Sequence, residues 1–535
     1  MAALLCTNVV YALVWYVHPD STLNSIQSGI NLCSAGDTVL VGPGIYYENI
    51  LWPNTQGIKL ISEQGPDTTI IDGNQITTAI SCATSVDSTT KIAGFTIQHG
   101  DMPQGGGIRC INASLTITGN CIKENGCGIG CSGYSSPIII YNTIANNSGG
   151  GISCQANSSP MIAYNTIVNN HTSGNGGGIA CWGNSSPTVT NNTITGNSTL
   201  ELVLLRGGGI YCDSGSSPTI TYNIINANHV SLGFGGGICC YYSIEAEIIG
   251  NTINDNYALG LGGGIFCEGD IPSIIKENII NNNEAPQSML SPGWGGGICI
   301  INSSPSVKGN TITMNSAGGH GGGIYTSYAS PVIDSCLISF NIGDGIYCCD
   351  PSSPAVYSCD IMGNNGYGIR NVDSGILVNA ESNWWGDASG PYHPTLNPSG
   401  LGDTVSDFVD FDPWLYNPWG IEEFTTPPLV ALQLQVYPNP FRHHTQIGYM
   451  IHDPRYTNEK LQNSNCEMRN PTLKIFDATG RLVRDFFLPT AYYLLPTTVS
   501  WDGTDQSNRQ LGSGVYFIKL TAGDHKETKK VLFVR

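Results

Sequence analysis

A repeat constrains this chain more than any other feature. The motif Gly-x-Gly-Ile recurs with its isoleucine at 108, 129, 152, 179, 210, 238, 265, 298, 324, 346 and 369, at intervals of 21 to 33 residues. Most copies continue as Gly-Gly-Gly-Ile-x-Cys, then Ser-Ser-Pro-x-Ile, then Asn-Thr-Ile-x-x-Asn; 149–170 and 176–197 are examples. A period of this length marks a solenoid. Each unit holds three β-prone runs of two or three residues, separated by turn formers. Runs so short bury no core alone. Stacked in register, with rungs about 4.8 Å apart, they do. Proline can open the second run, where its missing N–H is not yet needed. Asn and Gly at the corners tolerate left-handed dihedrals. The repeat predicts an all-β chain whose main domain is a parallel β-helix.

Composition agrees. Only 11% of the 535 residues are charged, 67 are glycine and 40% are hydrophobic, whereas typical soluble domains are about 25% charged. Coiled coils and helical bundles need Ala, Glu, Lys and Leu, and are excluded. A net charge of −19 argues against a nucleic-acid partner. The charge is uneven: residues 1–420 carry 8 Lys+Arg and 29 Asp+Glu, and residues 421–535 carry 13 and 11. The change falls near a Pro-rich stretch, Asn417-Pro-Trp419 to Pro427-Pro428, and marks a domain boundary.

The solenoid places eight of the 19 cysteines in one column. The residue two after the repeat isoleucine shares its inward face. It is Cys110, Cys131, Cys154, Cys181, Cys212, Cys240 and Cys267 in seven successive units, then Ile300, Thr326 and Cys348. These are expected to be buried thiols acting as small hydrophobes. A structural metal site needs clustered Cys-x-x-Cys pairs, which this spacing does not supply. The column Asn142, Asn165, Asn192, Asn223, Asn251, Asn278 and Asn310 is expected to stack as an amide ladder.

At the N-terminus, residues 1–16 read as a signal peptide, with Val10-Tyr11-Ala12 suited to cleavage. The basic n-region is missing, so its start reads as truncated. The alternative is that Val9 to Val17 is a first buried strand. Residues 21–33 combine a Ser N-cap with apolar residues at helical spacing, which predicts a short helix plugging the open end of the coil.

Gly42-Pro-Gly-Ile-Tyr-Tyr-Glu48, the glycine and Ser-Ser-Pro repeats, Asn383-Trp-Trp-Gly386 and Phe411-Asp-Pro-Trp414 resemble the pectin-lyase-like right-handed parallel β-helix superfamily over residues 17–415. The resemblance implies a right-handed coil. It does not imply one activity, because relatives include lyases, hydrolases, epimerases, esterases and adhesins. Beyond a linker at 416–430, residues 431–535 show short strand-like runs at 434–437, 446–451, 473–476, 497–501, 514–520 and 530–534, the pattern of a small β-sandwich. Val436-Tyr-Pro-Asn-Pro-Phe441, Lys474-Ile-Phe-Asp-Ala-Thr-Gly-Arg-Leu-Val483, Gly514-Val-Tyr-Phe517 and Lys529-Lys-Val-Leu-Phe-Val-Arg535 resemble the immunoglobulin-like sorting domain of type IX secretion substrates. That resemblance implies a secreted or cell-surface protein and, as partner, the bacterial outer-membrane secretion machinery. The polar stretch 452–470 is longer than the family's usual strand connection.

The coil's own site is sought where the repeat varies. Segments between the last Asn and the next Gly-Gly-Gly are longest at 198–206, 229–234, 257–261 and 284–294, and all fall at one corner. Insertions on one face of a solenoid often form its binding face; packing that shields the core is the alternative. Their tips carry His171, Arg206, Phe234, Leu261, Trp294 and His320. Beside that corner, Trp182, Tyr211, Tyr241, Phe266 and Tyr325 are expected to point outward. With Trp294 they make the expected ligand strip for a polysaccharide or cell-surface glycan. Asp213 and Glu268, two rungs or roughly 9–10 Å apart, are the candidate catalytic pair of a lyase or glycoside hydrolase. Solvated surface acids are the plainer account of the pair. The acidic run Asp403, Asp407, Asp410 and Asp412 offers oxygen ligands for Ca²⁺, or a solvated cap. No other cofactor is indicated.

Overall fold

The computed structural model divides the chain into two compact units, 1–420 and 421–535. It describes residues 12–418 and 431–534, apart from 84, 102–105, 201–203, 214, 244, 270–272, 290, 438–440, 442–444, 453–471, 487–496, 507–508 and 523–524. The first unit is a β-helix of three parallel sheets. The Ser-Ser-Pro runs form a sheet of sixteen strands, and the Ile-x-Cys and Asn-Thr-Ile runs form sheets of thirteen each. The repeat sets the register directly: Ile108 pairs with Ile129 and Cys110 with Cys131, rung after rung to Ile346 and Cys348.

One contiguous core runs the length of the coil. It is filled by the central Ile or Val of the Ser-Ser-Pro and Asn-Thr-Ile strands and by the Ile and most of the Cys of the Ile-x-Cys strands. The described cysteines are free thiols, and the inward column is buried. Burial holds these thiols protonated, since an ion in that interior has nothing to solvate it. It pushes Cys348 up to about 12, and Cys82 is raised by the same cause.

The corners are built by polar ladders. At one corner the residue before each ladder Asn is left-handed, as at Tyr141, Tyr164, Asn191 and Tyr222. The following Asn turns inward and hydrogen-bonds up the stack: Asn142 Nδ2 donates to Asn165 Oδ1 at 3.0 Å, and Asn165 to Asn192 at 3.0 Å. The column passes through Cys336 and Cys359 and ends at Asn383, which accepts from the Cys359 N–H. A second ladder, on the last Asn of the repeat, runs from Asn125 through Asn147, Asn170, Asn197 and Asn228 to Asn364, with Nδ2 to Oδ1 distances of 2.8 to 3.1 Å. Asp403 closes it, accepting from Asn364 Nδ2 at 2.9 Å and from the Gly363 N–H at 2.7 Å.

Within the expected 21–33, the cap helix spans Ile26–Asn31, with Ser25 as its N-cap. Glu48, the last residue of the Gly42–Glu48 motif, accepts from the Ile26 and Gln27 N–H groups at 2.7 and 2.8 Å. Of residues 1–16, those before 12 lie outside the described residues. Val14–Val17 is a strand paired with Thr38–Val41.

The C-terminal unit holds two antiparallel sheets. One contains Ala431–Tyr437, Thr445–His452 and Thr497–Trp501; the other contains Leu482–Phe486, Thr472–Asp477, Gly514–Ala522 and His525–Phe533. Trp501, Ile475, Ile518 and Phe533 are among its buried core. The strand Leu482–Phe486 is missing from the sequence expectation. It returns along Thr472–Asp477 after a turn in which Asp477 accepts from the Thr479 hydroxyl and the Arg481 N–H. Most of the polar stretch 452–470, and linker residues 419–430, lie outside the described residues.

Candidate functional site

The variable corner segments form a fourth parallel sheet, His171–Thr172, Ser198–Thr199, Leu205–Arg206, His229–Phe234, Tyr257–Leu261, Glu284–Ala285 and Ser316–Ala317. Bridges from Leu261 to Trp294 and from Trp294 to His320 extend it. The chain then doubles back through the triglycine. The first of the three glycines is left-handed, with φ of 69° at Gly235. A Cβ there would lie 2.6 Å from Cys239 Cβ. Only glycine lets the corner segment fold so tightly over the Ile-x-Cys strand.

That fold-back corrects the expected ligand strip. Tyr211, Phe266 and Tyr325 were expected to face outward, but they are 3%, 0% and 1% exposed. The fourth sheet covers them and makes a second core with Cys239, Cys299, Leu261 and Tyr347. Rings from above stack on rings below: Phe234 on Phe266 with centroids 4.9 Å apart, Trp294 on Tyr325 at 4.7 Å and His320 on Tyr347 at 4.2 Å. Alternation along the strand identifies the outward face but cannot show that a lid covers it.

Trp182, Tyr241 and Trp294 remain half-exposed along the margin of this core. The next column carries Trp182, Asp213, Tyr241 and Glu268 on successive rungs, with Tyr241 and Glu268 in direct register. Asp213 and Glu268 therefore flank Tyr241, two rungs apart. The Arg206 guanidinium lies 3.9 Å from the Tyr241 ring centroid and 5.5 Å from that of Phe234. Burial pushes the Glu268 carboxyl above its ordinary range, against the pull of Arg206 and of the Tyr242 hydroxyl, which donates to Oε1 at 3.4 Å.

A second cluster closes the ridge; of its residues His320 was named from the sequence, but neither Arg370 nor Asp344 was. Arg370 occupies the outward position of Tyr347 one rung on, with its guanidinium 5.7 Å from the Tyr347 ring and 5.3 Å from the Tyr367 ring. Asp344 is buried and accepts from the Tyr367 N–H at 2.9 Å. Burial raises Asp344 and lowers His320. The sequence signal was there: Asp344 is the variable residue of one Gly-x-Gly-Ile motif.

The acidic run is not gathered into one site. Asp403 is committed to Gly363 and Asn364, Asp407 stands 3.3 Å from His393 Nε2, and Asp410 lies in a strand pairing with Asn379. Among the described residues no group of three or more His, Cys, Asp or Glu is placed to hold a metal ion.

Comparison with known proteins gives the same two parts. A family described as right handed beta helix region matches residues 28–194, 159–270 and 260–384. A secretion system C-terminal sorting domain matches residues 435–534. Among curated proteins none matches. Solved structures similar in fold include the catalytic unit of a GH87 α-1,3-glucanase from Streptomyces thermodiastaticus strain HF3-3, at 16% identity and TM-score 0.38 over 74% of this chain and 66% of that one. The periplasmic alginate epimerase AlgG matches at 14% identity and TM-score 0.31 over 67% of this chain and 84% of that one. PorZ, a surface component of the type IX secretion system of Porphyromonas gingivalis, matches at 20% identity and TM-score 0.13 over 19% of this chain and 11% of that one. The chain thus spans about a tenth of PorZ and just under two thirds of the glucanase unit.

Proposed function

From the premise that the chain belongs to the right-handed β-helix family and is exported to the cell surface or beyond by its C-terminal sorting domain, we propose that it binds glycan along the ridge made by the fourth sheet. Among the described residues no helix is long and apolar enough to cross a membrane.

One observation carries the reading. The ridge is a rigid, two-layered stack that holds Trp182, Tyr241 and Trp294 half-exposed beside Asp213, Glu268 and Arg206. Aromatic faces meet the C–H faces of sugars, while carboxylates accept from hydroxyls. Backbone pairing and ring stacking already fix the groups, so binding orders few side chains. A second reading, a polysaccharide-active enzyme, is favoured by Glu268: a carboxyl held up by burial two rungs from another acid suits a general acid.

Titration of the full-length chain with a panel of neutral and acidic oligosaccharides tests the first reading. Tyr241→Ala is expected to weaken binding tenfold or more, about 1.4 kcal/mol, with little change in melting. Binding equal to the parent's would remove the ridge as the site. Release of new reducing ends or unsaturated uronates, lost in Glu268→Gln, would establish the enzyme instead.

A further inference from the structure

The outer side of the Asn-Thr-Ile sheet differs from every other face of the coil. Its central strands are Thr193–Thr195, Ile224–Asn226, Thr252–Asn254, Ile279–Asn281 and Thr311–Thr313, paired in register without a break. In each strand the middle isoleucine is buried and the two flanking side chains stand half-exposed on the outer surface. One outward column therefore reads Thr, Ile, Thr, Ile, Thr, and the other reads Thr, Asn, Asn, Asn, Thr. Over the eight strands from Thr143–Ala145 to Leu337–Ser339 the two columns hold no charged and no aromatic residue. The other sheets all do. The Ser-Ser-Pro sheet carries Glu247, Lys276 and Lys308, the Ile-x-Cys sheet Tyr241 and Glu268, and the fourth sheet His229, Tyr257 and Glu284.

The bonding capacity of this face is unspent. On the Ser-Ser-Pro sheet the Thr221 hydroxyl donates to Thr190 at 3.0 Å and the Thr219 hydroxyl to Glu247 at 3.4 Å. On the Asn-Thr-Ile sheet the hydroxyls of Thr193, Thr195, Thr252, Thr311 and Thr313 make no hydrogen bond among the described residues. Oδ1 of Asn226, Asn254 and Asn281 is buried and accepts none. Asn254 Nδ2 donates to Asp255 Oδ2 at 2.8 Å. Asp255 and Glu277 lie at the left-handed corners that border the face on either side, so charge stands at its margins and not within it.

We propose that this face binds the surface of ice. The array repeats in two directions, about 4.8 Å from rung to rung and about 7 Å from residue i to i+2 along a strand. Crystalline water likewise presents molecules at fixed intervals in two directions, each both donor and acceptor, as a hydroxyl is. Backbone ladders fix the rungs, and β-branched Thr and Ile are stiff at χ1. Adsorption therefore orders few side chains. Methyl groups between the hydroxyls and amides let a first water layer order above them, while the polar groups anchor it. A face without charge complements a partner without charge. Protein interfaces are enriched in Tyr, Trp and Arg at their cores, and a sugar stack needs a ring; this face offers none of these. The inference does not rest on the glycan reading of the ridge.

The test freezes a dilute solution of the full-length chain slowly onto a cold surface and compares protein in the ice with protein left in the liquid. The parent is expected to enter the ice and to hold the freezing point below the melting point. Thr252→Tyr lifts a flat crystal plane off the centre of the array. It should cut enrichment in ice by at least about tenfold, because many weak contacts act together, with protein melting unchanged. Thr219→Tyr, the same change on the Ser-Ser-Pro sheet, should keep parental enrichment. Thr193→Lys covers the case in which Thr252→Tyr melts early. Exclusion of the parent from ice, or parental enrichment of both Thr252→Tyr and Thr193→Lys, overturns the proposal. Two further results also overturn it: a dimer in sedimentation that Thr252→Tyr splits gives the face to a second copy, and retention on crystalline cellulose without entry into ice gives it to a neutral glycan.

Discussion

At the scale of single residues, this fold rests on polar groups that have no solvent to fall back on. Asn228 is fully buried and serves four partners: its Oδ1 accepts from the Asn197 N–H and Nδ2, and its Nδ2 donates to Ile194 O and Asn256 Oδ1. Leucine has a similar volume but takes the acceptor from the Asn197 N–H and one bond each from Asn197 Nδ2, Ile194 O and Asn256 Oδ1; Asn197 Nδ2 keeps Ile167 O, and Asn256 Oδ1 keeps the backbone N–H of residue 228. Each unpaired buried group costs about 1–3 kcal/mol, so Asn228→Leu should lower unfolding stability by about 3 kcal/mol or more in urea titration. A change under about 0.5 kcal/mol would mean that the ladder contributes little. The thiols make a second prediction. Cys348 and Cys127 are pushed up to about 12, above the ordinary value of about 8.5. Thiols that stay neutral in the native state and ionise when unfolded bind more protons folded than unfolded above that value. Their contribution is fully present below about pH 8.5. It is lost as the pH rises towards 12, so the urea midpoint should fall across that window while native thiols resist alkylation. A flat midpoint to pH 11 would contradict it.

At the scale of elements, the triglycine decides whether the corner segments are loops or a sheet. Gly235→Ala forces a side chain into a left-handed backbone, costing about 1–3 kcal/mol, and onto Cys239. It should destabilise the coil by at least that much. Gly130, in the same outward column where no corner strand covers it, has open space around its Cβ. Gly130→Ala should be neutral or slightly stabilising. Equal melting of the two variants would show that the fourth sheet is not held in place. These elements also show what the sequence carried. Ile-x-Cys, Ser-Ser-Pro and Asn-Thr-Ile specified strand, register and inward face, because period and side-chain alternation are local properties. The fourth sheet was legible only as a set of insertions at one corner. Its burial of Tyr211, Phe266 and Tyr325 depends on strands in different turns meeting above them, and no single turn encodes that. Trp182, Tyr241 and Arg206 were each named from the sequence, but the stacking of Arg206 on Tyr241 joins a corner segment to the rung after its own.

At the scale of the whole molecule, two units with separate cores divide the work, and the charge change near residue 420 had already separated them. Removing residues 421–535 is expected to leave the coil's cooperative melting intact and to keep the protein from reaching the surface. A truncated coil that no longer melts cooperatively would show the two units to be interdependent. The central claim is that the fourth sheet makes a binding ridge rather than a mere lid. Hydroxyl-radical footprinting of the full-length chain, with and without polygalacturonate, reads the relevant side chains directly. Protection of Trp182, Tyr241 and Trp294 is the predicted result, with the exposed Tyr141, Tyr164 and Tyr222 at the corner of the first Asn ladder oxidised as before. Protection of those three tyrosines with the ridge residues unchanged would contradict it.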